Sequence, residues 1–277
     1  MNFALFGGDE RSVRLCRLLR QDGHTVRPFA LEQALPEGLA RPEDALVGAD
    51  CVIFPLPCEK DGALNAPLSG RRYTPAELLC FSPARAPVLA GLPGAETCAA
   101  CRKYGLTLLD YGRREDFALR NADLTAEGAL ALLLDGPHAL RGSSVLVAGY
   151  GRIGRALAEK LCALGARVTV AERSAWGRAA AALAGCRTVP LSAAAAGDYD
   201  TVVNTIPALV FGAAEIEAFG CARLMELASA PYGFDFDAAA AQGKRVLLAS
   251  NLPGKTAPES AADAVKTTIY SILEELQ

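Results

Sequence analysis

Gly142-Ser-Ser-Val-Leu-Val-Ala-Gly-Tyr-Gly-Arg-Ile-Gly-Arg155 decides the fold: an apolar strand runs straight into a G-x-G-x-x-G turn, and the turn into an amphipathic helix. Val145-Leu-Val-Ala148 is continuously apolar rather than alternating, the pattern of a strand buried on both faces. Ile153, Leu157, Leu161 and Leu164 recur at helical spacing, and Gly165 ends the helix. A second strand, Arg167-Val-Thr-Val-Ala171, follows, and Glu172 lies 21 residues after Gly151. Together these make a dinucleotide-binding βαβ unit. Gly149 permits the tight turn, Gly151 lets the backbone approach a pyrophosphate, and Gly154 lets the helix pack closely on its strand. The amides heading the helix, at Gly151, Arg152 and Ile153, are the phosphate donors.

Downstream, Tyr199–Pro207, Leu224–Pro231 and Val246–Gly254 each read as a strand ending in polar residues and a proline. Ligands of open parallel sheets lie outside the carboxyl ends of the strands. Asn204, Thr205, Ile206 and Pro207 after the first of these strands, with Ala228 and Ser229 after the second, are therefore candidate cofactor contacts. Pro253 and Gly254 after the third are candidate substrate contacts.

Upstream the chain alternates strands and helices again: Phe3–Phe6, a helix over roughly 11–21, Val26–Phe29, Cys51–Phe54, Val88–Gly91 and Leu106–Leu109. Gly7-Gly8-Asp9 lacks the third glycine of a nucleotide turn and reads as a substrate-lobe loop. Residues 58–75 read as a loop. Residues 110–120 look charged and irregular, after which Asn121-Ala-Asp-Leu-Thr-Ala-Glu-Gly128 opens an apolar helix through Leu134, capped by Thr125 or Asp123. The expected architecture is α/β: two doubly wound Rossmann-like lobes with an inter-lobe cleft, joined by a long helix over about 122–136. A C-terminal helix over about 258–276 returns to the first lobe. The domain limits expected are 1–121 for a substrate or partner lobe and 122–277 for an NAD(P)-binding domain.

At 277 residues and 51% hydrophobic content the chain supports two packed lobes, and a net charge of −3 without basic runs argues against nucleic acid. No apolar run reaches membrane-spanning length and no leader pattern opens the chain, so a cytoplasmic protein is expected. Nine scattered cysteines fit free thiols, and Cys98-Ala-Ala-Cys101 has no second half for a zinc site, so no metal is expected. With only His24 and His138 present, and His138 in a connecting loop, histidine-based nucleophilic chemistry is disfavoured.

The run Gly149–Gly154, Glu172-Arg-Ser174, Asn204–Pro207, Leu227-Ala-Ser229, Leu252-Pro-Gly254 with Ala257-Pro258, the opening Gly7-Gly8-Asp9 with Arg11, and Asn121 with Thr125–Gly128 resemble the A subunit of dipicolinate synthase from spore-forming bacteria. The likeness is densest over 121–260. It implies oxidation of a dihydrodipicolinate-type precursor to dipicolinate, a small dicarboxylate heterocycle, with NADP, or alternatively NAD, accepting hydride. It also implies a partner, the flavoprotein-like B subunit of dipicolinate synthase, together with a homo-oligomer and the mother-cell cytoplasm during sporulation. For this chemistry Glu127 or Asp123 is the candidate proton acceptor, with Asn121 beside them. Lys255, Arg120 and the helix start at Thr125 are candidate anion contacts. Glu172 suits the ribose hydroxyls of NAD, whereas Arg173 and Ser174 suit a 2′-phosphate. Two other readings stay open: another two-lobed dehydrogenase, and a cofactor-binding subunit inactive without its partner.

Overall fold

The computed structural model describes residues 1–36, 41–136, 139–220 and 223–276; His138 and Cys221 lie outside them. By packing, the chain divides into Met1–Asn121 with Ala257–Gln277, and Ala122–Thr256.

The first unit comprises β1 (Asn2–Phe6), α1 (Glu10–Gln21), β2 (Thr25–Phe29), α2 (Pro42–Leu46), β3 (Cys51–Ile53), β4 (Glu59–Lys60), β5 (Ala63–Leu64), α3 (Pro75–Leu79), β6 (Val88–Ala90), α4 (Ala95–Tyr104) and β7 (Leu108–Asp110). Five strands form a parallel sheet in the order β2-β1-β3-β6-β7, and β4 and β5 make a small antiparallel hairpin where a plain loop was expected. Alternation along β1 sorts the core. Ala4 and Phe6 join Val52 and Phe54 on one face, while Phe3 and Leu5 join Cys51 and Ile53 on the other. Asp9, after the Gly7-Gly8 turn, caps α1 by accepting from the Arg11 amide.

The second unit follows α5 (Glu115–Leu134), inside which the division falls. It contains β8 (Ser144–Ala148), α6 (Arg152–Ala163), β9 (Arg167–Glu172), α7 (Ala175–Leu183), β10 (Arg187–Pro190), β11 (Thr201–Asn204), α8 (Ala213–Ala218), β12 (Arg223–Glu226), α9 (Phe236–Ala241), β13 (Val246–Leu248) and α10 (Leu252–Thr256). Its six strands are all parallel, in the order β10-β9-β8-β11-β12-β13. This is the doubly wound dinucleotide-binding order, with the reversal of strand order at β8. Val145 and Val147 face α6 through Leu157 and Leu161, and Leu146 and Ala148 face Phe211 and Ile216 on the other side.

Three expectations change. The helix expected from 122 begins at Glu115, so Asp123 and Thr125 lie well inside α5 and cap nothing. No glycine or proline interrupts 115–127, Glu115 and Asp116 suit a first turn, and Phe117 is buried, so the charged stretch is already helical. The last helix, α11 (Pro258–Glu275), returns to the first unit as expected and so lies outside the 122–277 limits expected for the second: Val265, Ile269, Ile272 and Leu273 share a core with Leu15 and Leu19 of α1. Pro253 and Gly254 are not an open turn but buried residues of α10.

Candidate functional site

At the carboxyl end of β8 the glycine turn shows three distinct constraints. Gly149 has φ +91°, and a Cβ there would lie 2.7 Å from Thr205 Oγ1 and 2.8 Å from Ile206 Cγ1. A Cβ on Gly154 would lie 2.2 Å from the Gly149 carbonyl oxygen, so α6 approaches the turn as only glycine allows. A Cβ on Gly151 would meet nothing within 4 Å. The demand at that position is for space outside the protein. Gly151 is exposed and is the N-cap of α6, with no side chain capping the helix, so the amides at Gly151, Arg152 and Ile153 head a twelve-residue helix without a side-chain acceptor at the cap. An open cradle at a helix start without a side-chain cap fits a pyrophosphate.

The end of β9 closes one side. Glu172 Oε2 accepts from the Tyr150 amide at 3.1 Å, inside the glycine turn, and Oε1 accepts from the Ser174 amide at 2.9 Å. Burial raises the affinity of this carboxyl for a proton, but the amides of Ser174 and Tyr150 and the Ser174 hydroxyl outweigh it and hold Glu172 below the usual carboxylate range. Ser174 caps α7, its Oγ accepting from the Gly177 amide at 2.9 Å. Arg173 is exposed.

The ends of β11 and β12 close the other side. Thr205 donates twice to the Ala148 carbonyl, from its amide at 3.0 Å and its hydroxyl at 2.7 Å, tying the end of β11 to β8. Asn204 is fully buried, and its side chain is satisfied within the protein: Nδ2 donates to Ile206 O at 2.9 Å and Glu226 Oε1 at 2.7 Å, and Oδ1 accepts from the Ile206 amide. It shapes the loop rather than reaching out of it. Glu226, not singled out from the sequence, is the hub. It is fully buried and also accepts from the amides of Ala228 at 2.8 Å, Gly233 at 2.8 Å and Phe234 at 3.2 Å. A glutamate ending the apolar run Leu224-Met-Glu226 was the available signal. Between these loops Thr205 and Ile206 are half-buried, Ala228 is buried, and Pro207 and Ser229 are exposed.

The carboxylates of α5 are not brought to this turn. Asp123 and Glu127 both reach Lys160 Nζ, at 2.8 and 3.7 Å, and Asp123 holds that ammonium above its ordinary range. Lys160 lies eight residues beyond Arg152 on α6, about 12 Å along the helix axis at ~1.5 Å per residue. Thr125 is buried in α5, Arg120 and Asn121 fall in the first unit, and Lys255 is exposed on α10.

Strand order, glycine turn and the acid ending β9 define a two-unit α/β protein whose second unit is a dehydrogenase-type, nicotinamide-dinucleotide-binding domain. Residues 128–210 match the NAD binding domain family of D-isomer specific 2-hydroxyacid dehydrogenases. Residues 2–112 match the family of the N-terminal domain of the dipicolinate synthase A subunit. The A subunit of dipicolinate synthase from Bacillus subtilis (strain 168) is 29% identical over 300 residues, covering 100% of this chain and 97% of the relative. The crystal structure of the A subunit from Bacillus halodurans superposes with a TM-score of 0.86 at 26% identity, covering 98% of this chain and 97% of that one. The crystal structure of its Bacillus subtilis counterpart gives 0.86 at 27% identity, covering 99% and 96%. The likeness to the A subunit of dipicolinate synthase is thus found in sequence, in domain and in fold. Among the described residues no helix is long and apolar enough to cross a membrane.

Proposed function

We propose that this chain is the coenzyme-binding, hydride-transferring subunit of a dipicolinate-forming enzyme, which dehydrogenates a dihydrodipicolinate-type ring to the aromatic dicarboxylate. The observation that carries the reading is the open cradle at Gly151 at the start of α6, in a chain similar to the A subunit of dipicolinate synthase along its whole length. The amides of Gly151, Arg152 and Ile153 bind the diphosphate, and Glu172 orients the adenosine end. The loops carrying Thr205–Pro207 and Ala228–Ser229, held in place by Asn204 and Glu226, flank the nicotinamide. The bound coenzyme supplies a hydride acceptor, and the protein supplies orientation.

Asp123 and Glu127 are engaged by Lys160, and we assign them a structural role. Lys255, exposed on α10, remains a candidate cation for a substrate carboxylate. Partnership with a B subunit, a homo-oligomeric assembly and a cytoplasmic setting in a sporulating cell follow from the same likeness.

The test is turnover of freshly generated dihydrodipicolinate with oxidised coenzyme, with and without the B subunit, read as reduced-nicotinamide absorbance and as dipicolinate by chromatography. Equimolar appearance of the two is expected. Dipicolinate formed at an equal rate without coenzyme would defeat the proposal.

A further inference from the structure

We infer that the adenosine end of this site selects a coenzyme with a free 2′-hydroxyl, NAD(H), and excludes one carrying a 2′-phosphate. The inference rests on the proposal that the glycine turn binds a nicotinamide dinucleotide, and it reverses the expectation of NADP drawn from the family resemblance.

Its basis is how Glu172 is held. The residue ends β9, the position from which an acid meets the adenosine ribose in dinucleotide folds. One carboxylate oxygen is tied to the Tyr150 amide within the turn and the other to the Ser174 amide ahead of α7. The first turn of α7 is pressed against the side chain, since a Cβ on Gly177 would lie 2.6 Å from Glu172 Cγ. The carboxylate is thus held at the mouth of the turn, where a 2′-phosphate would have to displace it. The carboxylate accepts from the Tyr150 and Ser174 amides and the Ser174 hydroxyl, which hold it ionised, and an ionised carboxylate has no proton to offer a phosphate oxygen.

The opposing groups are weaker or already committed. Arg178 donates to the carbonyls of Glu172 at 2.9 Å and Arg173 at 2.6 Å. The Ser174 hydroxyl caps α7. Arg173 is left as the cation able to meet a 2′-phosphate, and it is solvent-exposed, where its attraction is screened. A fixed, partly buried anion against a screened, exposed cation favours the hydroxyl.

The chain carries a built-in reporter. Trp176, its only tryptophan, is 72% exposed in the first turn of α7, four residues after Glu172. Its emission overlaps the absorbance of reduced nicotinamide, so energy transfer reads coenzyme binding without turnover. Titrating the full chain with NADH and with NADPH is expected to give a dissociation constant about tenfold or more lower for NADH, a factor that needs only ~1.4 kcal/mol of charge repulsion. Glu172→Gln, which keeps the shape and removes the charge, should bring the two constants together, and Arg173→Ala should weaken NADPH further. Equal or tighter binding of NADPH by the unaltered chain overturns the inference, as does a ratio unmoved in Glu172→Gln, while the dinucleotide reading itself survives both results. Energy transfer from neither coenzyme overturns that reading and the inference together.

Discussion

Gly151 and Gly154 share one motif and meet opposite physical demands, so the same substitution separates them. Alanine at Gly154 places a methyl 2.2 Å from a backbone oxygen that cannot move without opening the turn. A loss of about 1–3 kcal/mol is expected in a denaturant melt, the usual cost of overpacking. Alanine at Gly151 meets open space at an ordinary φ of −77°. The melt should shift by under about 0.5 kcal/mol, the range of a benign surface change. Coenzyme affinity, read from Trp176 emission, should nonetheless fall at least about tenfold, because the methyl occupies the pyrophosphate's approach. A Gly151→Ala chain that binds coenzyme normally would show that the diphosphate lies elsewhere. These glycines were legible because their spacing encodes backbone geometry. Glu226 was not, because its role depends on amides from a loop seven and eight residues downstream. Glu226→Ala strands four buried donors and should cost about 3–5 kcal/mol, the range for breaking a buried charged network. Glu226→Gln keeps the shape and should cost less. Equal stability of the alanine and parent chains would refute the hub role.

At the scale of elements, the parallel strands were readable because strands covered on both faces are apolar throughout, as Val145–Ala148 and Cys51–Ile53 are. Helix starts were less so. A charged first turn such as Glu115-Asp116 looks like a loop in sequence, and the correct start at Glu115 moves Asp123 and Glu127 from a helix end to its flank. Their shared partner Lys160 then accounts for them without chemistry. Because both carboxylates are exposed, the double substitution Asp123→Asn with Glu127→Gln should cost at most about 1 kcal/mol of stability. It should leave turnover within about threefold, against the 10²–10⁴-fold that a general base contributes. A fall of several hundredfold with coenzyme affinity intact would return one of them to the active site.

For the whole molecule, the return of the last helix to the first lobe was legible in the sequence, whereas the side chains it packs against there were not. The stretch 258–276 is amphipathic, and amphipathicity says that a face is buried without saying against what. The contacts supply the answer: α11 lays Val265, Ile269, Ile272 and Leu273 into the core made by Phe3, Leu5, Leu15 and Leu19. Four such side chains at about 1.5–3 kcal/mol each are worth about 6–12 kcal/mol, comparable to the total stability of an ordinary domain at ~5–15 kcal/mol. A chain ended after Thr256 should therefore lose the cooperative unfolding of the first unit. The second unit, whose core draws nothing from α11, should retain coenzyme binding by Trp176 emission. Ile269→Ala, fully buried, is the milder version and should lower the first unit's stability by about 2–5 kcal/mol. If the shortened chain kept its full melting transition, or if Ile269→Ala weakened coenzyme binding as much as Gly151→Ala, the assignment of α11 to the first unit's core would be wrong.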